Sequence, residues 1–150
     1  MSELSELYQE MILDHYKHPR NCCRLEHPTH TAEGANPLCG DHLNVYVKVT
    51  DGLIDEITFE GSGCAISRAS ASMMTAHLKG KTVAEARAIF EQVHRMLTGE
   101  EMAEPEMEAL GKLAALSGVC EFPVRVKCAT LAWHTMRTAL ERDTTPAKTE

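Results

Sequence analysis

The chain has 150 residues, 43% of them hydrophobic and 25% charged, with a formal net charge of −7 at neutral pH. This balance fits one soluble globular domain with a single core, and an acidic surface excludes general nucleic-acid binding, which needs clustered Lys and Arg against phosphates. No apolar run nears the ~20 residues of a membrane span.

The start, Met1-Ser2-Glu3-Leu4-Ser5-Glu6, lacks the basic and apolar regions of a signal peptide, so a cytoplasmic protein is expected. There the six cysteines are reduced, and metal binding or catalysis is a better reading than a disulfide framework.

Along the chain, Leu4, Leu7, Tyr8, Met11, Ile12 and His15 recur at three- and four-residue steps, which predicts an amphipathic helix. Pro19 ends it. A weakly signalled strand is expected before Cys39. Leu43, Val45, Val47 and Val49 then alternate with Asn44, Tyr46 and Lys48, the pattern of a half-buried strand. Asp51-Gly52 supplies a tight turn, and a second strand over 53–60 turns Ile57 and Phe59 inward. A helix over 65–78 stops at Gly80. Thr82-Val83-Ala84-Glu85 fits a capping box that opens a helix to about Leu97. After an acidic connector over 98–105, a shorter helix is expected near 107–116, and Cys128 is expected to open the last helix. The expected fold class is α+β, a small antiparallel sheet of about three strands with helices packed on it. One domain is expected over residues 1–142, with a disordered tail over 143–150.

Three cysteines stand out. Cys39 lies in Asn36-Pro37-Leu38-Cys39-Gly40-Asp41, where proline and glycine mark a loop and Gly40 lets Cys39 and Asp41 address one centre. Cys64 follows Gly61-Ser62-Gly63, and Cys128 follows Val126-Lys127. A helix start at each favours the thiolate. Three thiolates and one carboxylate make four ligands, a set that zinc accepts as a tetrahedron. The site would carry a formal charge of about −2, from +2 on the metal and −1 on each ligand, which Arg125 and Lys127 partly offset. Spacing does not decide the matter: no C-x-x-C pair is present, and three unrelated buried thiols fit the same pattern. Cys22, Cys23 and Cys120 read as incidental thiols. His15 and His18 read as surface or capping groups, and His42 as pointing away from Asp41.

Four segments taken together resemble the U-type iron–sulfur cluster assembly family (IscU, the NifU N-terminal domain and SufU). They are Ile12-Leu13-Asp14-His15-Tyr16…Pro19-Arg20-Asn21, Asn36-Pro37-Leu38-Cys39-Gly40-Asp41, Gly61-Ser62-Gly63-Cys64-Ala65-Ile66-Ser67 and Val126-Lys127-Cys128-Ala129-Thr130-Leu131-Ala132-Trp133. The resemblance spans roughly residues 3–141 and is nearest the SufU branch. Lys127 stands where the scaffold branch has a histidine, and Glu121-Phe122-Pro123-Val124-Arg125 replaces that branch's chaperone-binding Leu-Pro-Pro-Val-Lys. The stretch between Cys64 and Cys128 is also longer.

The resemblance implies zinc held by Cys39, Asp41, Cys64 and Cys128, with Cys39 as acceptor of persulfide sulfur and Arg125 and Lys127 in support. It implies a SufS-like cysteine desulfurase and downstream iron–sulfur assembly proteins as partners, and no nucleic acid or membrane. The alternative is a scaffold that holds iron or a transient [2Fe–2S] cluster on the same ligands.

Overall fold

The computed structural model describes the backbone of residues 3–37, 40–141 and 147–148, and the side chains of 6–37 and 40–141. Helix α1 (Glu3–Lys17) precedes a sheet of β1 (His30–Asn36), β2 (Asp41–Thr50) and β3 (Leu53–Ser62). Helices α2 (Ala65–Leu78), α3 (Val83–Leu97), α4 (Glu104–Leu110) and α5 (Pro123–Leu140) follow, with a run of 3-10 turns at Gly111–Glu121 between the last two. β1, β2 and β3 form an antiparallel meander, and a two-residue strand β4 (Ala147–Lys148) lies parallel to β1, giving the order β3-β2-β1-β4. The expected α+β class is the one observed. Within the expected tail, only the backbone of β4 falls among the described residues.

The alternation in β2 buries Leu43, Val45 and Val47 completely. On β3, Ile57 and Phe59 face the same core as expected, and Ile54 joins them, although it stands three residues from Ile57. A β-bulge explains this. Lys48 pairs with Glu56 while Val49 pairs with Ile54, so Asp55 is the extra residue that returns Ile54 to the inner face. α2 and α5 pack over this sheet, and α1 packs on α2. β1 approaches α5 closely enough that a Cβ on Gly34 would overlap Thr135 Oγ1.

Two expected boundaries shift. Gly111 adopts φ +55° and ends α4, so the predicted helix near 107–116 divides into a short α-helix and 3-10 turns. α5 begins at Pro123 rather than Cys128, because proline at a first helical position is preset in φ and lacks only an amide that would have no partner there.

The Asp14–Asn21 segment clasps α1 and the following loop to α2 and β3. Ser72 Oγ accepts from the Arg20 amide at 2.8 Å and pairs with His15 Nδ1 at 2.7 Å. Asn21 Nδ2 donates to Thr75 Oγ1 at 3.2 Å, and the Asn21 carbonyl accepts from the Phe59 amide at 3.0 Å. His15, expected at the surface, is therefore buried. No helix among the described residues is long and apolar enough to cross a membrane.

Candidate metal centre

Asp41 opens β2 directly opposite Asn36, the last residue of β1. The turn between them contains Cys39, which lies outside the described residues. Gly40 takes φ +70°, a left-handed conformation that glycine adopts without penalty. Asp41 is 2% exposed, and its carboxylate accepts from the Cys64 amide at 2.8 Å through Oδ1. Asn36, fully buried, places Nδ2 3.4 Å from Asp41 Oδ2 and 3.6 Å from Cys128 Sγ. His42, next on β2, faces the other side and is exposed, as expected.

Cys64 is the N-cap of α2, and its sulfur accepts from the Ser67 amide at 3.4 Å. This is the helix-start environment that favours a thiolate. Gly63 is present because the carboxylate sits against it: an added Cβ would stand 2.6 Å from Asp41 Oδ1. Cys128 is fully buried in the second turn of α5. The expected helix-start advantage therefore belongs to Cys64 and not to Cys128, since a second-turn residue no longer flanks the free amides. Contacts from side chains compensate: Asn36 donates to Cys128, and Arg125 lies against both thiols. Hydrogen bonding to Cys128 and the charges of Cys64 and Cys128 hold the Arg125 guanidinium above its ordinary pKa.

One ligand atom each from Asp41, Cys64 and Cys128 lies within 4.8 Å of the others. Sulfurs on a tetrahedral zinc at about 2.3 Å stand roughly 3.8 Å apart, so closing the three around one ion requires movements of about 1 Å. The donor set is suited to zinc: two thiols and a carboxylate, with a cation beside them. Because thiolate and carboxylate ligands leave a zinc site with net negative charge, Arg125 is placed to offset it.

Of the six residues singled out from sequence, the structure brings together Asp41, Cys64, Cys128 and Arg125. Lys127 is half-buried. Cys22, Cys23 and Cys120 are free thiols outside the cluster. Asn36 and Gly63 were missed as site residues. Both lie in segments already singled out, and a polar residue just before a proline loop was the available signal for Asn36.

The model for the NifU-like N terminal domain family matches residues 7–140. The zinc-dependent sulfurtransferase SufU of Bacillus subtilis is 38% identical over 142 residues, covering 95% of this chain and 95% of that protein. The iron–sulfur cluster assembly scaffold protein IscU of Streptococcus pyogenes is 39% identical over 142 residues, covering 95% and 87%. A crystal structure from Fervidobacterium islandicum AW-1, of a protein assigned as an iron–sulfur cluster assembly scaffold for the SUF system, superposes with a TM-score of 0.82. It is 35% identical and covers 90% of this chain and 97% of its own. The chain belongs to the NifU-like N terminal domain family.

Proposed function

We propose that this protein works in cytoplasmic iron–sulfur cluster assembly, accepting persulfide sulfur on Cys39 from a SufS-like cysteine desulfurase and relaying it to downstream assembly proteins. Cys39, Asp41, Cys64 and Cys128 are its zinc ligands in this reading. The observation that carries it is the convergence of Asp41, Cys64 and Cys128 within 4.8 Å, at the turn that contains Cys39. The likeness to a zinc-dependent sulfurtransferase supports it.

Bound zinc supplies one thing, the deprotonation of its thiol ligands at neutral pH, where a free thiol of pKa ~8.5 is mostly protonated. The rest falls to the chain. Cys64 and Cys128 are held by α2 and α5 and contacted by Ser67, Asn36 and Arg125. Hydrogen bonds to a thiolate stabilise its charge, which makes these two sulfurs ligands rather than nucleophiles. Cys39, which precedes Gly40 in the sequence, is the acceptor. Its thiolate attacks the outer sulfur of the desulfurase persulfide. The sulfur–sulfur bond on the desulfurase breaks as a new one forms on Cys39, and the desulfurase cysteine leaves as a thiolate. The exchange conserves electrons and needs no external oxidant or reductant.

Cys39→Ser should abolish stimulation of a cysteine desulfurase while the fold is kept. Stimulation at the parent level would remove Cys39 from the acceptor role. A second reading, a scaffold on which a [2Fe–2S] cluster is built, is favoured by the 39% identity to a protein named as an assembly scaffold. Anaerobic reconstitution with iron and sulfide separates the two. A stable, transferable visible chromophore supports the scaffold, and protein that stays colourless supports the relay.

A further inference from the structure

Ser67 is fully buried, and its hydroxyl has no hydrogen-bond partner. Buried hydroxyls are ordinarily paired, because an unpaired one forfeits its hydration without compensation. In a helix, serine commonly spends this hydroxyl on a carbonyl of the preceding turn, and Thr75, Thr98, Thr135 and Thr138 do so here. Ser67 does not.

Its position points to an acceptor. Ser67 lies one turn after Cys64 and one turn before Ser70 on α2. Both neighbours meet α5: Cys64 converges with Cys128, and Ser70 Oγ donates to the Ala129 carbonyl at 2.6 Å. Ser67 thus occupies the seam between α2 and α5 at the level of the two thiols, and its own amide already reaches Cys64 Sγ at 3.4 Å.

We propose that Ser67 is a positioning residue whose hydroxyl donates to the thiolate ligands when the site is loaded with metal, an inference that rests on the zinc reading above. The two sulfurs would stand as anions in a buried seam, and donors around a ligand orient it and adjust its basicity. Asn36 supplies one such donor to Cys128, and the Ser67 amide supplies one to Cys64. The hydroxyl of Ser67 is the unspent donor on the same seam. Among the described protein groups it has no hydrogen-bond partner, and a metal-bound thiolate on this seam would give it one.

Two measurements on Ser67→Ala should therefore move in opposite directions. Removing an unpaired buried hydroxyl leaves the metal-free protein melting at or above the parent temperature. Removing a donor to the ligands weakens zinc binding about 10- to 100-fold, read by competition with a chromophoric chelator. A merely structural role would lower both together. The inference is overturned if zinc affinity stays within about twofold of the parent, against an expected loss of at least about tenfold. It is overturned equally if metal-free melting and affinity fall together. Zinc binding by the parent, measured in the same titration, tests the underlying site separately: a parent that binds no zinc sinks the metal reading itself.

Discussion

Gly63→Ala probes how the carboxylate is built into the site. Gly63 does not have a left-handed φ, so the substitution carries no backbone strain, and its effect is steric. The added Cβ would lie 2.6 Å from Asp41 Oδ1 and 3.1 Å from Asp41 Cγ, so the carboxylate must move. Asp41 is 2% exposed, and the same oxygen accepts from the Cys64 amide at 2.8 Å. Displacement breaks a hydrogen bond to a buried charged group, a loss of about 2 kcal/mol. For a chain of this length that corresponds to a fall of about 4–8 °C in the metal-free melting temperature, read by circular dichroism. Zinc affinity should fall at least about tenfold as the ligand leaves its place. Gly34→Ala is the control. Its Cβ would overlap Thr135 where β1 meets α5, so it should lower melting and leave zinc affinity unchanged among molecules that fold. If Gly63→Ala left both melting and zinc affinity at parent values, the close packing of Asp41 against the start of α2 would be wrong.

Ser72→Ala should cost about 1–3 kcal/mol in chemical denaturation, because it leaves buried His15 and the Arg20 amide without their shared partner. Burial, with Arg20 and Lys112 nearby and only Asp14 opposing, holds the His15 pKa below its ordinary 6.5, and burial does the same at His77 beside Lys81. As pH falls below about 6.5, the unfolded chain takes up protons that the folded histidines refuse. Metal-free stability should therefore decline on acidification from neutral pH and be level above it, and His15→Gln with His77→Gln should flatten that slope in denaturant melts. Thr82→Ala removes the cap of α3, whose hydroxyl accepts from the Glu85 amide at 3.0 Å, and should lower the melting temperature by about 2–4 °C.

What could be read in advance divides by the range of the interaction. The alternation Leu43-Val45-Val47 and the Thr82–Glu85 capping box are local signals, and both appear where expected. Cys64 was legible from its glycine-rich helix-start segment, whereas Cys128 was legible only through the family resemblance of its segment, because its expected helix start is not where α5 begins. β1 was weakly signalled because its sequence, His-Thr-Ala-Glu-Gly-Ala-Asn, carries few large apolar residues; its inward face uses small groups so that α5 can approach. The start of α5 at Pro123 hid the true environment of Cys128, since the glycine-and-cysteine pattern that works at Cys64 has no equivalent there. The bulge at Asp55 depends on pairing with β2, and the burial of His15 depends on Ser72, 57 residues away. Neither leaves a trace in the local pattern. Ser67 likewise gains meaning only when α2 and α5 are laid side by side.

X-ray absorption at the zinc edge of the loaded protein addresses the four-ligand centre most directly. Three sulfur scatterers at about 2.3 Å and one oxygen at about 2.0 Å are predicted for Cys39, Cys64, Cys128 and Asp41. A shell of nitrogen and oxygen alone, or purified protein that retains no zinc on titration, would contradict it.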